Sequence, residues 1–207
     1  MTERTDGDPG VESNSRLTAA TGALLFVVLA AEGFTIVSIG SLLRPHVFIG
    51  ALLVPPVLLK IGSTGYRFAR YYSGAPPYVR KGPPPWILRV LGPAVVALTL
   101  EVLASGIALL YAGPAWRGRL LTLHKAGFIL WFLVMAVHVL GHLPETVRVA
   151  GRDWVARVRR RAGVEPGGGL VRRLAVLASV GAGVALGVLL TGQVATYLGW
   201  VGHPLGG

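Results

Sequence analysis

Hydrophobic positions along the chain form five runs, each long enough to cross a lipid bilayer. A hydrocarbon core about 30 Å thick requires roughly 20 helical residues. The runs cover residues 17–40, 42–62, 86–112, 119–143 and 173–198. Because lipid offers no partners to backbone N–H and C=O groups, helices that satisfy these groups internally are the expected solution. The pattern predicts an all-α polytopic membrane protein, with a bundle of four transmembrane helices and a fifth transmembrane helix.

Polar segments divide the chain around these runs. The acidic N-terminal segment shows no periodic pattern of apolar residues, which predicts a disordered tail. The first run lacks an A-x-A-like cleavage site and is therefore predicted to be a retained helix rather than a signal peptide. The predicted segments are a tail over 1–15, a four-helix core over 16–143, a basic connection over 144–172, the fifth helix over 173–198 and a second tail over 199–207.

Two local patterns bear on the shape and packing of the helices. Pro55 and Pro56 fall near the middle of the second run, where missing backbone donors predict a kink. Gly183 and Gly187 lie four positions apart in the fifth run. This small-xxx-small spacing predicts close helix packing and is only weak evidence for a dimer.

Composition agrees with a membrane protein and limits its chemistry. Hydrophobic residues make up 53% of the chain and charged residues 14%, and the mean hydropathy is +0.61. The chain has no cysteine, which excludes disulfides, thiolate-held iron–sulfur clusters and cysteine nucleophiles. A redox role would therefore need a cofactor held by histidine, or a partner protein.

The basic residues indicate the orientation of the chain in the membrane. Six basic residues and no acid lie between Lys60 and Arg89, and eight arginines against three acids lie between Pro144 and Arg173. The positive-inside rule puts both connections in the cytoplasm. The prediction is a multi-pass protein of the cytoplasmic membrane with a cytoplasmic N-terminus and an external C-terminus. Since these charges are juxtamembrane, lipid is an expected partner and nucleic acid is not.

Three of the five histidines lie in or next to the fourth hydrophobic run. His124 and His138 are 14 residues apart, which corresponds to about 21 Å of helical rise and an angular offset of about 40°. They are therefore expected on one side of the helix, one near each membrane surface. His142 follows one turn later and is expected at a solvated helix end.

His46, in the second run, is the expected partner of His124. The charge-derived topology places both at a similar depth near the outer surface. Two neutral imidazoles on facing helices suit a six-coordinate b-type haem. Arg44 and Lys125 flank the histidines on the outer side, where haem propionates would emerge, and Gly50 leaves room for a flat macrocycle one turn below His46.

In this arrangement, residues 17–143 resemble the bacterial b-type cytochrome membrane subunits of formate dehydrogenases and nickel–iron hydrogenases. The resemblance rests on His46 in the second helix and on His124 and His138 at their spacing in the fourth. It implies a core that carries electrons in a respiratory chain, between quinone or quinol and a redox partner subunit. A protein of this kind is a non-catalytic electron-transfer subunit of an oxidoreductase.

The resemblance implies two haems in the four-helix core, and the chain departs from that pattern at the inner surface. A second haem on His138 would need another histidine near the inner end of a neighbouring helix, and the sequence offers Lys60, Tyr66 and Arg89 there instead. One haem b on His46 and His124 is therefore predicted. For His138, a second haem completed by another subunit and a hydrogen bond to a neighbouring helix both remain open.

Glu32 and Glu101 lie within the first and third hydrophobic runs. Intramembrane carboxyl groups are candidates for proton transfer, for contact with a quinone headgroup or for pairing with a buried base. A structural hydrogen bond to Thr or Ser on a facing helix is an equal alternative for each. They also support a different function, in which a cofactor-free small transporter or assembly factor uses these glutamates and the histidines as a polar pathway.

Overall fold

The computed structural model describes residues 8–82, 86–159 and 169–202, without the side chains of Lys81, Ile87, Leu88, residues 142–159 and Trp200. Within these ranges the chain is helical and contains no strand, which confirms the all-α prediction. The helices are α1 (Pro9–Val37), α2 (Ile39–Tyr72), α3 (Pro76–Lys81), α4 (Trp86–Tyr111), α5 (Pro114–Arg159), α6 (Gly169–Thr191) and α7 (Val194–Gly202).

Five stretches are long and apolar enough to cross a membrane, which confirms the prediction of a polytopic membrane protein. They are Pro9–Val37, Ile39–Tyr72, Arg89–Tyr111, Pro114–Gly141 and Gly169–Gly199. Large apolar side chains remain exposed on the outer faces of these helices, among them Phe34 at 72% and Ile129 at 61%. Exposed apolar surface on this scale is expected where lipid, rather than water, surrounds the helices.

The N-terminal helix begins earlier than the sequence pattern predicts. The Asp8 carboxylate accepts the backbone N–H groups of Gly10, at 2.9 Å, and Val11, at 3.2 Å, and a proline occupies the first helical position. This cap supplies acceptors that a helix start otherwise lacks. The prediction of disorder is therefore wrong for residues 9–15, while residues 1–7 lie outside the described ranges.

The departure of α2 from helical geometry lies near its start. Leu42 has φ −106° and ψ 19°, three residues before Pro45, whereas the backbone angles stay helical through Pro55 and Pro56. A proline ring crowds the carbonyl group four residues earlier, here that of Ser41, so a local adjustment ahead of Pro45 is expected. The kink that was predicted at Pro55 and Pro56 is therefore not seen in the backbone angles, and the distortion lies ahead of Pro45 instead.

The later helix boundaries also differ from the prediction. α5 continues to Arg159 through the first half of the predicted connection over 144–172, and residues 160–168 lie outside the described ranges. The predicted fifth helix begins at Gly169 and is interrupted after Thr191. Turn residues Gly192 and Gln193 separate it from α7, which extends into the predicted tail as far as Gly202.

Helix packing divides the bundle into two groups. α1 and α2 form an antiparallel hairpin joined at Ser38, and α6 packs along α2, while α4 packs mainly against α5. The groups meet at two places. Leu103 of α4 packs against the buried cluster of α1 and α2 that contains Leu25 and Leu53. Leu110 of α4 is buried together with Ala51 of α2. His46 on α2 and His124 on α5 therefore come from different groups.

Glycines allow α6 to approach α2 closely. A Cβ atom on Gly183 would overlap the backbone carbonyl oxygen of Leu52, and one on Gly187 would lie 2.8 Å from the Phe48 ring. The predicted packing role of these two glycines is confirmed, and their contacts lie within one chain.

Candidate functional site

Glu32 and Thr35 of α1 engage His46 through one ring nitrogen. Glu32 Oε1 lies 2.9 Å from His46 Nδ1, and Thr35 Oγ1 lies 3.1 Å from the same atom. The Thr35 hydroxyl also donates to the backbone carbonyl of Glu32, at 2.6 Å. Glu32 and Thr35 are three residues apart and so share a helix face, and the tight turn at Ser38 brings that face beside the start of α2.

His124 is held in the same manner by α4. Its Nδ1 lies 3.1 Å from the Val102 carbonyl oxygen and 3.0 Å from Ser105 Oγ. Since a carbonyl oxygen only accepts, Nδ1 carries the ring proton in this arrangement. A Cβ atom on Gly106 would lie 3.0 Å from His124 Cε1, so this glycine makes room for the imidazole against α4.

The two imidazoles meet between the helix groups. Their ring centroids are 6.3 Å apart, and the ring planes are inclined at 79°. The hydrogen bonds that the described residues make to each ring go to Nδ1, and none of them involves Nε2. Nitrogen–metal bonds of about 2 Å on both sides would separate two ring centroids by about 6 Å. His46 and His124, which were predicted to lie at a similar depth in the membrane, are neighbours. The distance between their ring centroids would suit one shared metal ion.

The number of metal-ligating side chains separates a structural zinc site from a haem site. No group of three or more His, Cys, Asp or Glu side chains suited to an ion occurs in the described part of the chain. A structural zinc ion needs four protein ligands, whereas a haem iron needs only axial ligands from the protein. Two histidines whose Nδ1 atoms are hydrogen-bonded fit the second requirement, since such bonds orient a ligating ring.

Glu101 of α4 lies one helical turn from Ser105 and packs against α5. Both of its carboxyl oxygens are buried, and neither has a hydrogen-bond partner among the described residues. A Cβ atom on Gly127 would overlap this carboxyl group. The contact mirrors that of Gly106 with His124, because a glycine on each helix accommodates a polar side chain of the other.

The expected hydrogen bonds of the two glutamates therefore have different outcomes. Glu32 bonds to Thr35 on its own helix and to His46 on the facing helix. For Glu101, no bond to Thr or Ser is found within the described ranges. Glu32 therefore contacts the His46 ring across the α1–α2 hairpin, whereas Glu101 is a buried carboxyl group without a hydrogen-bond partner among the described residues.

The remaining predicted site residues are more dispersed. Arg44 and Lys125 are exposed, and Gly50 faces Glu32, whose Oε1 would lie 3.4 Å from a Cβ atom there. The space at Gly50 thus serves the carboxylate. His138 is partly buried further along α5 and does not join the His46 pair. The side chain of His142 lies outside the described part.

Sequence reasoning did not identify Thr35, Ser105, Gly106 or Gly127 as site residues. Two local patterns would have pointed to them. Thr35 follows Glu32 at a spacing that shares a helix face, and Ser105-Gly106 follows Glu101 by one turn. A polar residue beside a glycine in a membrane helix marks a place where another helix can approach a hydrogen-bonding group.

Comparison of the chain with known protein families, curated proteins and solved structures finds no match. The resemblance based on helix order and histidine spacing stays a prediction.

Proposed function

We propose that the chain is a membrane b-type cytochrome subunit in which His46 and His124 hold one haem b. The observation that carries this proposal is the 6.3 Å separation of two imidazoles whose Nδ1 atoms are both hydrogen-bonded. The two imidazoles would supply one pair of nitrogen donors, one from each group of helices. The bound haem would supply one-electron redox chemistry.

The chain's own residues would fix the ligands and tune them. Glu32 and Thr35 orient His46, and the Val102 carbonyl and Ser105 orient His124. Acceptors on Nδ1 raise the basicity of Nε2, which strengthens it as a ligand. A carboxylate is the stronger acceptor, so the His46 side is expected to donate more electron density than the His124 side.

The wider role is proposed from the resemblance and from the charge pattern. The subunit would carry electrons between quinol and a redox partner subunit outside the membrane, and it would lie in the cytoplasmic membrane with its N-terminus in the cytoplasm. Exposed Arg44 and Lys125 would receive the propionates at the outer end. His138 would serve a second haem only with a ligand from another subunit.

The first test is the absorption spectrum of detergent-purified protein from haem-replete cells. A dithionite-reduced minus oxidised spectrum is expected to show a b-type α-band, with one haem per chain. A colourless protein would reject the proposal. It would favour the cofactor-free alternative, in which Glu32, His46 and His124 form a polar path between α1, α2 and α5.

Gly106→Ala is expected to weaken haem binding about tenfold, because the new methyl group displaces the His124 ring from its acceptors. Haem dissociation, followed by transfer to an excess of apo-myoglobin, measures the effect. Gly92→Ala is the matched control, since a Cβ atom on that α4 glycine meets nothing within 4 Å. Equal haem loss in both variants would contradict the role assigned to Gly106.

A further inference from the structure

Arg117 lies near the start of α5 and reaches across to α7. Its Nη2 donates to the Tyr197 hydroxyl, at 3.2 Å, and its guanidinium carbon lies 4.6 Å from the centre of the Tyr197 ring. Its Nε is buried and has no hydrogen-bond partner among the described residues. A guanidinium carries five N–H donors and a permanent positive charge. Tyr197 supplies one acceptor and an aromatic face, but it is not a counterion.

The chain offers no free carboxylate to Arg117. Helices α2, α6 and α7 contain no Asp or Glu, and α5 has no acid before residue 145. The one acid of α4, Glu101, lies ten residues before the end of that helix, and Glu32 of α1 contacts His46. A partly buried charge without a counterion is costly, so an anion from outside the chain would stabilise it. The other cations on the first turns of α2 and α5 are exposed, namely Arg44, Arg119 and Lys125.

Arg117 shares a face of α5 with the proposed haem ligand. His124 follows it by seven residues, which corresponds to about 10.5 Å of helical rise and an angular offset of about 20°. α7 packs across this end of the bundle, against α4 and α2. Its Val194 is fully buried in a cluster against which Val47, the neighbour of His46, also packs. The Arg117–Tyr197 contact therefore lies two helical turns from the imidazole pair, at the end of the bundle that α7 covers.

We propose that Arg117, oriented by Tyr197, binds an anionic oxygen group at this end of the bundle. α5 begins at Pro114, so the positive end of its helix dipole favours an anion at the same place. Two groups have this chemistry, a propionate of the proposed haem and the phosphate of an anionic lipid headgroup. Only the first rests on the proposed function, and there Arg117 would act together with Arg44 and Lys125.

Haem and its dimethyl ester, in which the propionates carry no charge, test the first source. Each is titrated into the haem-free, detergent-purified chain, and the absorption spectrum gives the Kd. Arg117→Gln is expected to weaken the binding of haem about tenfold, the order of one hydrogen bond to a charged group, and to leave the binding of the ester unchanged. Damage to the fold would weaken both ligands alike, so the ratio of the two Kd values isolates the contact with a carboxylate.

Phosphatidylglycerol tests the second source without any haem. It is added to the delipidated, haem-free chain in detergent, and native mass spectrometry measures the bound lipid. Arg117→Gln is expected to weaken the tightest lipid-binding step about tenfold, for the same reason.

Two further variants show whether the effect belongs to this contact. Arg119→Gln removes the same charge two residues later, from an exposed side chain that lies 5.4 Å from the centre of the Trp116 ring. It should behave as the wild-type protein in both titrations. Tyr197→Phe keeps the aromatic ring and removes the hydroxyl, so it should weaken the same ligand as Arg117→Gln, by a smaller factor.

The outcomes separate this inference from the haem proposal. Selective loss of affinity for haem over its ester, or loss of affinity for phosphatidylglycerol, supports the inference and identifies the source of the anion. No selective loss in either titration, or the same loss in Arg119→Gln, would overturn it. A chain that binds neither haem nor its ester rejects the proposed function, and the lipid titration then decides the inference alone.

Discussion

His46→Gly and His124→Gly proteins are expected to lose the b-type α-band and at least nine-tenths of their haem. Each variant removes one of the two nitrogen donors whose rings lie 6.3 Å apart. Loss of a direct ligand should exceed the roughly 10–100-fold effects typical of outer-shell changes. Haem content per chain and the reduced-minus-oxidised spectrum measure the result.

Two comparisons distinguish ligation from damage to the fold. Imidazole added to either glycine variant should restore part of the band, because the deleted side chain leaves space for it. His138→Gly should keep the spectrum and one haem per chain. Loss of half the haem in His138→Gly would instead show a second site, and full haem in His46→Gly would exclude the proposed pair.

Gly183→Ala is expected to destabilise the protein by about 1–3 kcal/mol relative to Gly181→Ala, the range for overpacking a close contact. The new methyl group would overlap the Leu52 carbonyl oxygen, a backbone atom that cannot rotate away. α6 would have to separate from α2, which loses packing along both helices. Thermal unfolding in detergent, followed by circular dichroism, measures the difference.

Gly181 is a suitable control because it lies on the same helix and a Cβ atom there meets nothing within 4 Å. Both substitutions raise helix propensity by a similar amount, about 1 kcal/mol, so the comparison isolates packing. Equal unfolding temperatures for the two variants would show that α6 does not pack on α2 through Gly183.

The transmembrane helices were predictable because lipid imposes one requirement on every spanning segment, namely a long apolar run with internally satisfied backbone groups. The proximity of His46 to His124 was also accessible from sequence. Helix rise and charge-derived topology together determine depth. Neither the helix rise nor the topology depends on the conformations of side chains.

The contacts around the two histidines were less accessible. The orienting bond from Glu32 depends on the tight turn at Ser38 and on the rotation of α1 about its axis, and apolar periodicity determines neither. Since membrane helices are apolar on most faces, the sequence pattern does not reveal which face meets a neighbour. Gly106 shows this limit, because its role follows only from the position of His124.

The contact of α6 with α2 has a consequence for biosynthesis. A chain made from its N-terminus completes the α1–α2 hairpin more than a hundred residues before Gly183 leaves the ribosome. Until then, α6 does not cover the strip of α2 at Phe48 and Leu52. The helix that carries His46 is therefore covered on this side only after α6 is inserted, so the proposed haem is expected to bind stably only once α6 is in place.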